Sequence, residues 1–215
     1  SIINKRFLAS NLFFLKSITN RAENMHALGM GGIDQPLPRI LNKLGFDLIV
    51  IDFLFFPLKV TSLINIGLRR AGFLKMKFLS VFFLPLNYLI SVLTKFISNS
   101  KLQVSVKEFM YFNNDDFVIW ENIKNNYSLV AEKTPDLLNI IYSPERFNLK
   151  KFRVFYKEKY LGWMILKVTT HKEDKYFGNE TTCTIVDLCT TPENYTSFIK
   201  QVKLIAIEYN VGVIL

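Results

Sequence analysis

The chain is poor in cysteine and histidine. With two of each in 215 residues, a dispersed zinc framework is excluded. Cys183 and Cys189 stand in a β-rich run and would lie roughly 20 Å apart on a regular strand, at about 3.3 Å per residue, far beyond disulfide reach. Acidic residues are scarce in the first hundred positions, 4 against 12 Lys and Arg, and nearly balanced afterwards, 14 against 15. The two halves are therefore different objects. A long uncharged run is also lacking. The longest candidate, Phe78–Thr94, is seventeen residues between Lys77 and Lys95. As a helix it measures about 25 Å against a hydrocarbon core of roughly 30 Å, and Pro85 falls inside it. A kinked, buried or interdomain helix pair is favoured over an interfacial helix with Arg69, Arg70, Lys75 and Lys77 facing anionic lipid, and over a true span. Residues 1–18 do not read as a signal peptide, because Asn11 and Lys16 interrupt the apolar stretch and no small-residue cleavage site follows. The expected location is cytoplasmic, with peripheral membrane contact through 58–97 as the variant.

What is present is core material. Hydrophobic residues make up 50% of the chain and charged residues 21%, with 20 Phe, which excludes a disordered tail. At 25.1 kDa there is room for one large domain or two small ones. The chain opens on Ser1 and closes on Leu215 within an apolar run, the pattern expected of a fragment cut at both ends.

The texture is α/β at both ends. Phe7–Glu23 reads as an amphipathic helix with Leu8, Leu12 and Leu15 on one stripe, followed by the strand-like MHALGM. Gly29, Gly31 and Gly32 mark a turn, Pro36 and Pro38 suit a first helical turn, and Gly45 ends a short helix. Phe46–Pro57 is a nearly continuous apolar run, the pattern of a strand buried on both faces. After Ser98–Lys101 the chain starts afresh. A strand is expected over Leu102–Phe112, then a helix capped by Asn114 or Asp115 with Phe117, Trp120, Ile123, Tyr127 and Val130 on its apolar face. Pro135 opens a further helix that Pro144 closes. Phe152–Tyr156 and Tyr160–Thr169 form a hairpin around Lys157 to Lys159, Thr182–Thr190 is another strand, a helix spans Tyr195 to Tyr209, and VGVIL re-enters a strand. Helix followed by short strand occurs near both ends, Phe7 to Met30 and Tyr195 to Leu215, an internal echo.

Asp187 and His26 are the candidate catalytic residues. On a regular strand Asp187 shares a face with Cys183, Ile185 and Cys189, where a carboxylate acts as base or substrate anchor, or else is a strand-end Asp bonded to backbone N–H groups. His26 begins MHALGM and can approach a site from that strand end, or is a satisfied structural histidine. Cys189 is a reactive thiol only where a cation or helix terminus lowers its pKa, and otherwise a small buried hydrophobe. His171 lies in a polar loop and reads as solvated. The glycines at 29, 31 and 32 lack phosphate-loop spacing and read as a backbone turn. The basic residues of the first half are interleaved with Phe, Leu and Ile rather than clustered, which argues against nucleic acid. No metal site is expected.

The run RILNKLGF (Arg39–Phe46) followed by an apolar strand resembles the short helix, LGF ending and sixth strand that close a GNAT acyltransferase domain. KYLGWMIL (Lys159–Leu166) and TIVDLCTTPEN (Thr184–Asn194), followed by a helix and strand, resemble that fold's central strands and its cofactor helix. The MGG-x-D-x-PLPR-x-L-x-x-LGF run at Met30–Phe46 is similar to one carried by tandem GNAT-like proteins that occur among bacterial surface-polysaccharide functions. The resemblance implies an α/β fold, a GNAT-like mixed sheet flanked by helices. It places the back half of one unit at 1–57, a hydrophobic, basic helical connector at 58–101, and the front of a second unit at 102–215.

It also implies acetyl-CoA or another acyl-CoA as donor and a small-molecule amine, an amino sugar or amino acid, as acceptor. In that family the cofactor pyrophosphate sits on the N–H groups of a Gly-rich turn at the start of the long helix after the fourth strand. Thr191-Pro192-Glu193-Asn194-Tyr195-Thr196 fills that place with no Gly, no basic residue and an acidic side chain, so no cofactor-binding residue is assigned. For the first unit the turn would lie before Ser1. Many members carry a Tyr acid five residues before the Phe of LGF, and Leu41 stands there. The expected function is N-acyltransferase-like. The alternative is a non-catalytic scaffold or membrane-surface interaction protein.

Overall fold

The computed structural model describes residues 16–17, 33–50, 54–72, 82–89, 92, 104–126, 131–145 and 148–215. The chain divides into two compact units, Ser1–Phe53 and Leu54–Leu215. In the first, the described residues hold one regular helix, α1 (Pro36–Lys43), with Pro36 in its first turn and Leu41 buried. Gly45 follows with φ of 90°, a conformation that L side chains rarely adopt. The expected helix Phe7–Glu23, the MHALGM strand and its glycines lie outside the described residues apart from Lys16 and Ser17, which are helical. The internal echo falls there too.

Among the described residues of the expected strand Phe46–Pro57, most are not strand. Residues 46–50 have no regular secondary structure, with Ile49 83% and Val50 72% exposed. Of the described residues in this run, only β1 (Phe56–Pro57) is a strand. It pairs with the two residues of the last strand, Phe56 with Ile214 and Pro57 with Val213. An apolar run becomes a strand only as far as a partner edge exists, and Pro57 has no N–H with which to extend the ladder.

The second unit is a six-stranded sheet in the order β1-β6-β5-β4-β3-β2, built from β1, β2 (Val104–Glu108), β3 (Leu149–Tyr156), β4 (Lys159–Thr170), β5 (Thr181–Thr190) and β6 (Val213–Ile214). All neighbours are antiparallel except β5 and β6. Helix α5 (Tyr195–Glu208) joins that parallel pair, as a crossover requires. Phe198, Val202, Ile205 and Ala206 recur at helical spacing and pack with Val154, Met164, Leu166 and Cys183 into a core on one side of the sheet. On the other side, α3 (Asn114–Lys124) and α4 (Pro135–Ile141) cover Trp163, Ile165 and Cys189 with Phe112, Trp120, Ile123 and Leu138.

Helix α2 (Val60–Arg70) is fastened by Ser62 and Asn65, which donate to the two oxygens of Glu180 at 2.6 and 3.1 Å. Arg69 donates to the Asp174 carbonyl at 2.7 Å. A side chain on Gly212 would meet Ser62 Oγ at 2.3 Å and Glu180 Oε2 at 2.7 Å, so a larger residue there would displace the bond that fastens α2. A helical stretch at 82–89 is tied to α2 by reciprocal Asn87 and Thr61 bonds. Among the described residues no helix is long and apolar enough to cross a membrane.

Two bulges shape the sheet. Ile165 pairs with Asp187 and Leu166 with Ile185, leaving Val186 as an extra residue in β5. Val154 pairs with Gly162 and Phe155 with Tyr160, leaving Leu161 extra in β4; its carbonyl accepts from Thr190 Oγ1 at 2.8 Å. Gly162 has φ of 137°, and a Cβ there would stand 2.0 Å from the Cys189 carbonyl oxygen. The backbones touch because that residue is glycine.

Helix α3 is fixed at its start. The cap is Asn113, one residue before the expected Asn114, because Asn113 is extended while Asn114 is already helical. Its side chain accepts from the N–H groups of Asp115 and Asp116, and the Asp116 carboxylate accepts from its N–H at 2.9 Å, a reciprocal box. Arg153 on β3 donates to both Asp116 oxygens, at 2.9 and 2.7 Å, and the Tyr160 hydroxyl donates to the same carboxylate. The Asp116 side chain is wholly buried. Removing one partner of a buried ion pair costs about 3–5 kcal/mol, so Asp116→Ala is expected to lower the unfolding free energy by that much, seen as a lower urea midpoint at unchanged slope. A loss below about 1 kcal/mol would mean that Arg153 behaves as a surface charge.

Candidate functional site

Asp187 does not share a face with Cys183 and Ile185. The extra residue Val186 reverses the alternation, so Asp187 and Cys189 point to the α3 and α4 side while Cys183 joins the α5 core. A period of two carried through the strand missed this, and only the bulge explains it.

On that side Asp187 meets a lysine. Lys133 Nζ donates to Oδ1 at 2.7 Å and Oδ2 at 2.8 Å. Oδ1 also accepts from the Leu188 N–H at 2.8 Å, and Oδ2 from the Tyr142 hydroxyl at 3.0 Å. The ammonium lies 5.0 Å from the ring centroid of Trp163 and 5.5 Å from that of Trp120, within the range of cation–π attraction. Two indole rings and one carboxylate thus face one cation, and a phenol shares the carboxylate. The side chains of Lys133 and Asp187 are 17% and 15% exposed, so the pair sits at the rim of the core rather than in bulk water.

Each wall has its own support. Trp120 is a core residue of α3, and its Nε1 donates to Glu132 Oε1 at 3.2 Å. Trp163 is fully buried on β4, edge-on to Phe112 at 5.0 Å; its Nε1 has no hydrogen-bond partner among the described residues. Tyr142 follows α4, whose N-cap Thr134 and first residue Pro135 come directly after Lys133. The Tyr142 carbonyl accepts from the buried Lys151 at 3.0 Å, and Lys151 donates to the Met110 carbonyl as well. Burial pulls the Lys151 ammonium below the usual lysine range. It is the internal clamp that aims Tyr142.

Protonation follows from these surroundings. Burial, and next the Asp187 charge, hold the Tyr142 hydroxyl above the usual phenol range. Burial and the bond to Asp116 do the same for Tyr160. Burial pushes the Cys189 thiol up to about 12 and the Cys183 thiol up to about 11. Both cysteines are free and buried, which makes them hydrophobic packing rather than nucleophiles. His171 is not simply solvated: its ring bonds Thr182 Oγ1 at 3.0 Å and stacks near Phe177. His26 lies outside the described residues.

The start of α5 is where the resemblance implies an acyl-CoA pyrophosphate. A 3₁₀ turn, Pro192–Asn194, runs straight into the helix. Pro192 has no N–H to offer, the Asn194 side chain turns back to Thr191 Oγ1 at 2.9 Å, and Glu193 brings a negative charge to the positive end of the helix. These residues do not fit a pyrophosphate. Among the described residues no three of His, Cys, Asp and Glu come together to hold a metal ion.

No protein-family model matches the chain, and no curated protein matches it. Solved structures similar to it include an aminoglycoside acetyltransferase from an uncultured soil metagenomic sample, with TM-score 0.33 and 12% identity over 49% of this chain and 68% of that one. An acetyltransferase of Trypanosoma brucei has TM-score 0.33 and 12% identity over 49% and 76%. A GCN5-related glucosamine N-acetyltransferase region of a fungal multidomain β-N-acetylglucosaminidase has TM-score 0.34 and 15% identity over 53% and 13%. The class rests on the chain's own geometry: strand order, the parallel β5 and β6 pair and the long helix between them give residues 54–215 a GNAT-like fold.

The two raised phenols set a sign for alkaline pH. A group whose folded pKa exceeds its unfolded value of about 10 stabilises the fold fully below that pH and loses the contribution as pH climbs past it. Among the nine tyrosines, Tyr142 and Tyr160 should ionise last, together with unfolding, in an ultraviolet tyrosinate titration. Tyr142→Phe should make the alkaline loss of stability shallower. A Tyr142 signal appearing near pH 10 with the fold intact would contradict its bond to Asp187.

Proposed function

We propose that the chain is N-acyltransferase-like, serving transfer of an acyl group from an acyl-CoA to the amine of an amino sugar or amino acid, with residues 54–215 as the acceptor-side domain. One observation carries the reading: on a GNAT-like sheet, Asp187 faces an aromatic enclosure and holds an ammonium ion. An acceptor amine arrives protonated and must be positioned and stripped of a proton before its lone pair can attack a thioester. A carboxylate at hydrogen-bond distance serves both needs. The donor has no seat at Thr191–Thr196, and no step is assigned through that turn.

Acyl transfer from acetyl-CoA to a panel of amino sugars and amino acids, followed by thiol release, tests the reading. Asp187→Asn is expected to lower kcat/KM by about tenfold or more while the thermal melt shows the fold retained. Absence of both transfer and calorimetric acetyl-CoA binding would sink the enzyme.

A second reading, a scaffold touching a membrane surface through 58–97, is favoured by one observation. In the stretch 82–89, Phe82, Leu84, Tyr88 and Leu89 each expose more than half of their surface, an apolar display of the kind that marks an interaction surface. Co-sedimentation with phosphatidylserine vesicles separates the readings. Pelleting that is lost in Phe82→Asp supports the membrane, and failure to pellet removes it.

A further inference from the structure

We propose that the enclosure around the Lys133 ammonium is an amine-binding site that the chain keeps filled with its own side chain, and that a small primary ammonium compound takes the place of Lys133 there. The walls come from ordered elements: Trp120 from α3, Trp163 from β4, Asp187 from β5, and Tyr142 from the end of α4. The occupant comes from residues 131–134, which have no regular secondary structure. Lysine carries its charge on a flexible four-carbon stem and has the most rotational freedom to regain on leaving. The walls, by contrast, lose the cation that pairs Asp187 when it goes.

The enclosure's chemistry selects the ligand. Asp187 offers both oxygens to one nitrogen at 2.7 and 2.8 Å, and the two indole faces favour a cation over a neutral group of the same size. A 2-amino sugar or an amino acid carries a primary ammonium of this kind. The choice of amine rests on the acyltransferase reading, but the test below contains no acyl-CoA, so the two can fail separately.

The chain has two tryptophans, Trp120 and Trp163, and both line the enclosure, so tryptophan emission, excited selectively over tyrosine, arises from the enclosure's own rings. In the full chain carrying Lys133→Ala, glucosamine and ethylammonium are expected to give a saturable fluorescence change. Their affinity should exceed that for the unsubstituted chain by about tenfold or more, because an unpaired buried carboxylate is strongly unfavourable. Glucose and ethanol should give none, and Lys133→Ala with Asp187→Asn should abolish the response. Lys133→Met, which keeps the apolar stem and removes only the charge, is the companion variant and should bind the same amines more weakly. Equal binding by the unsubstituted chain and Lys133→Ala, a response that survives Asp187→Asn, or no saturable response in a folded variant overturns the proposal. Failure of both variants to fold overturns it too, since a ligand site must survive the departure of its occupant.

Discussion

A buried carboxylate on the first turn of a helix organises this domain. Asp116 has no exposed surface, yet it closes the capping box of α3 and takes both arms of Arg153 and the hydroxyl of Tyr160. One group thereby fixes a helix start, a β3 side chain and a β4 side chain at once. Charge taken from water is costly unless it is paired and fully hydrogen-bonded, and here each oxygen has two donors. Because Trp120 lies on the same helix, its ring is placed against the sheet by the same group. The aromatic enclosure thus inherits its geometry from a salt bridge several residues away.

The second layer of control is electrostatic. Two carboxylates, Asp116 and Asp187, occupy the same side of the sheet, and each is matched by one cation and one phenol. The partners differ in a telling way. Arg153 grips Asp116 with a planar fork from inside a strand, a pairing made to be permanent. Lys133 reaches Asp187 from an irregular stretch with a point charge. Similar chemistry has been built once as a rivet and once as a contact that can be replaced.

Much of the second unit was legible in the sequence. The hairpin around Lys157, the strand at Thr181–Thr190 and the helix from Tyr195 follow from β-forming residues, period 3.6 and turn residues, although the bulges at Leu161 and Val186 break the period of two within the strands. Phe46–Pro57 misled because hydrophobicity reports burial or its absence of polarity, not the existence of a partner edge. In the site, Asp187 was visible as a polar residue in an apolar strand. Its face was not, since nothing in TIVDL marks Val186 as a bulge residue. Lys133 and Tyr142 carried no signal at all. They meet Asp187 across 54 and 45 residues of chain, and only the fold brings such separations to contact distance. Trp120 and Trp163 looked like core, which they are, and their second role depends on what stands over them.

The extra residue in β5 has a wider meaning for how this domain can change. Before Val186 the odd-numbered side chains Cys183 and Ile185 answer to α5; after it the odd-numbered Asp187 and Cys189 answer to α3 and α4, while Leu188 takes the α5 side. The two faces of a single strand are thus two selective environments, exchanged at the bulge. Substitutions at Cys183 must be accommodated by one helix, whereas those at Asp187 and Cys189 are judged by a different layer. Drift in ligand preference can therefore proceed on one side without disturbing the hydrophobic packing that keeps the parallel pair together on the other.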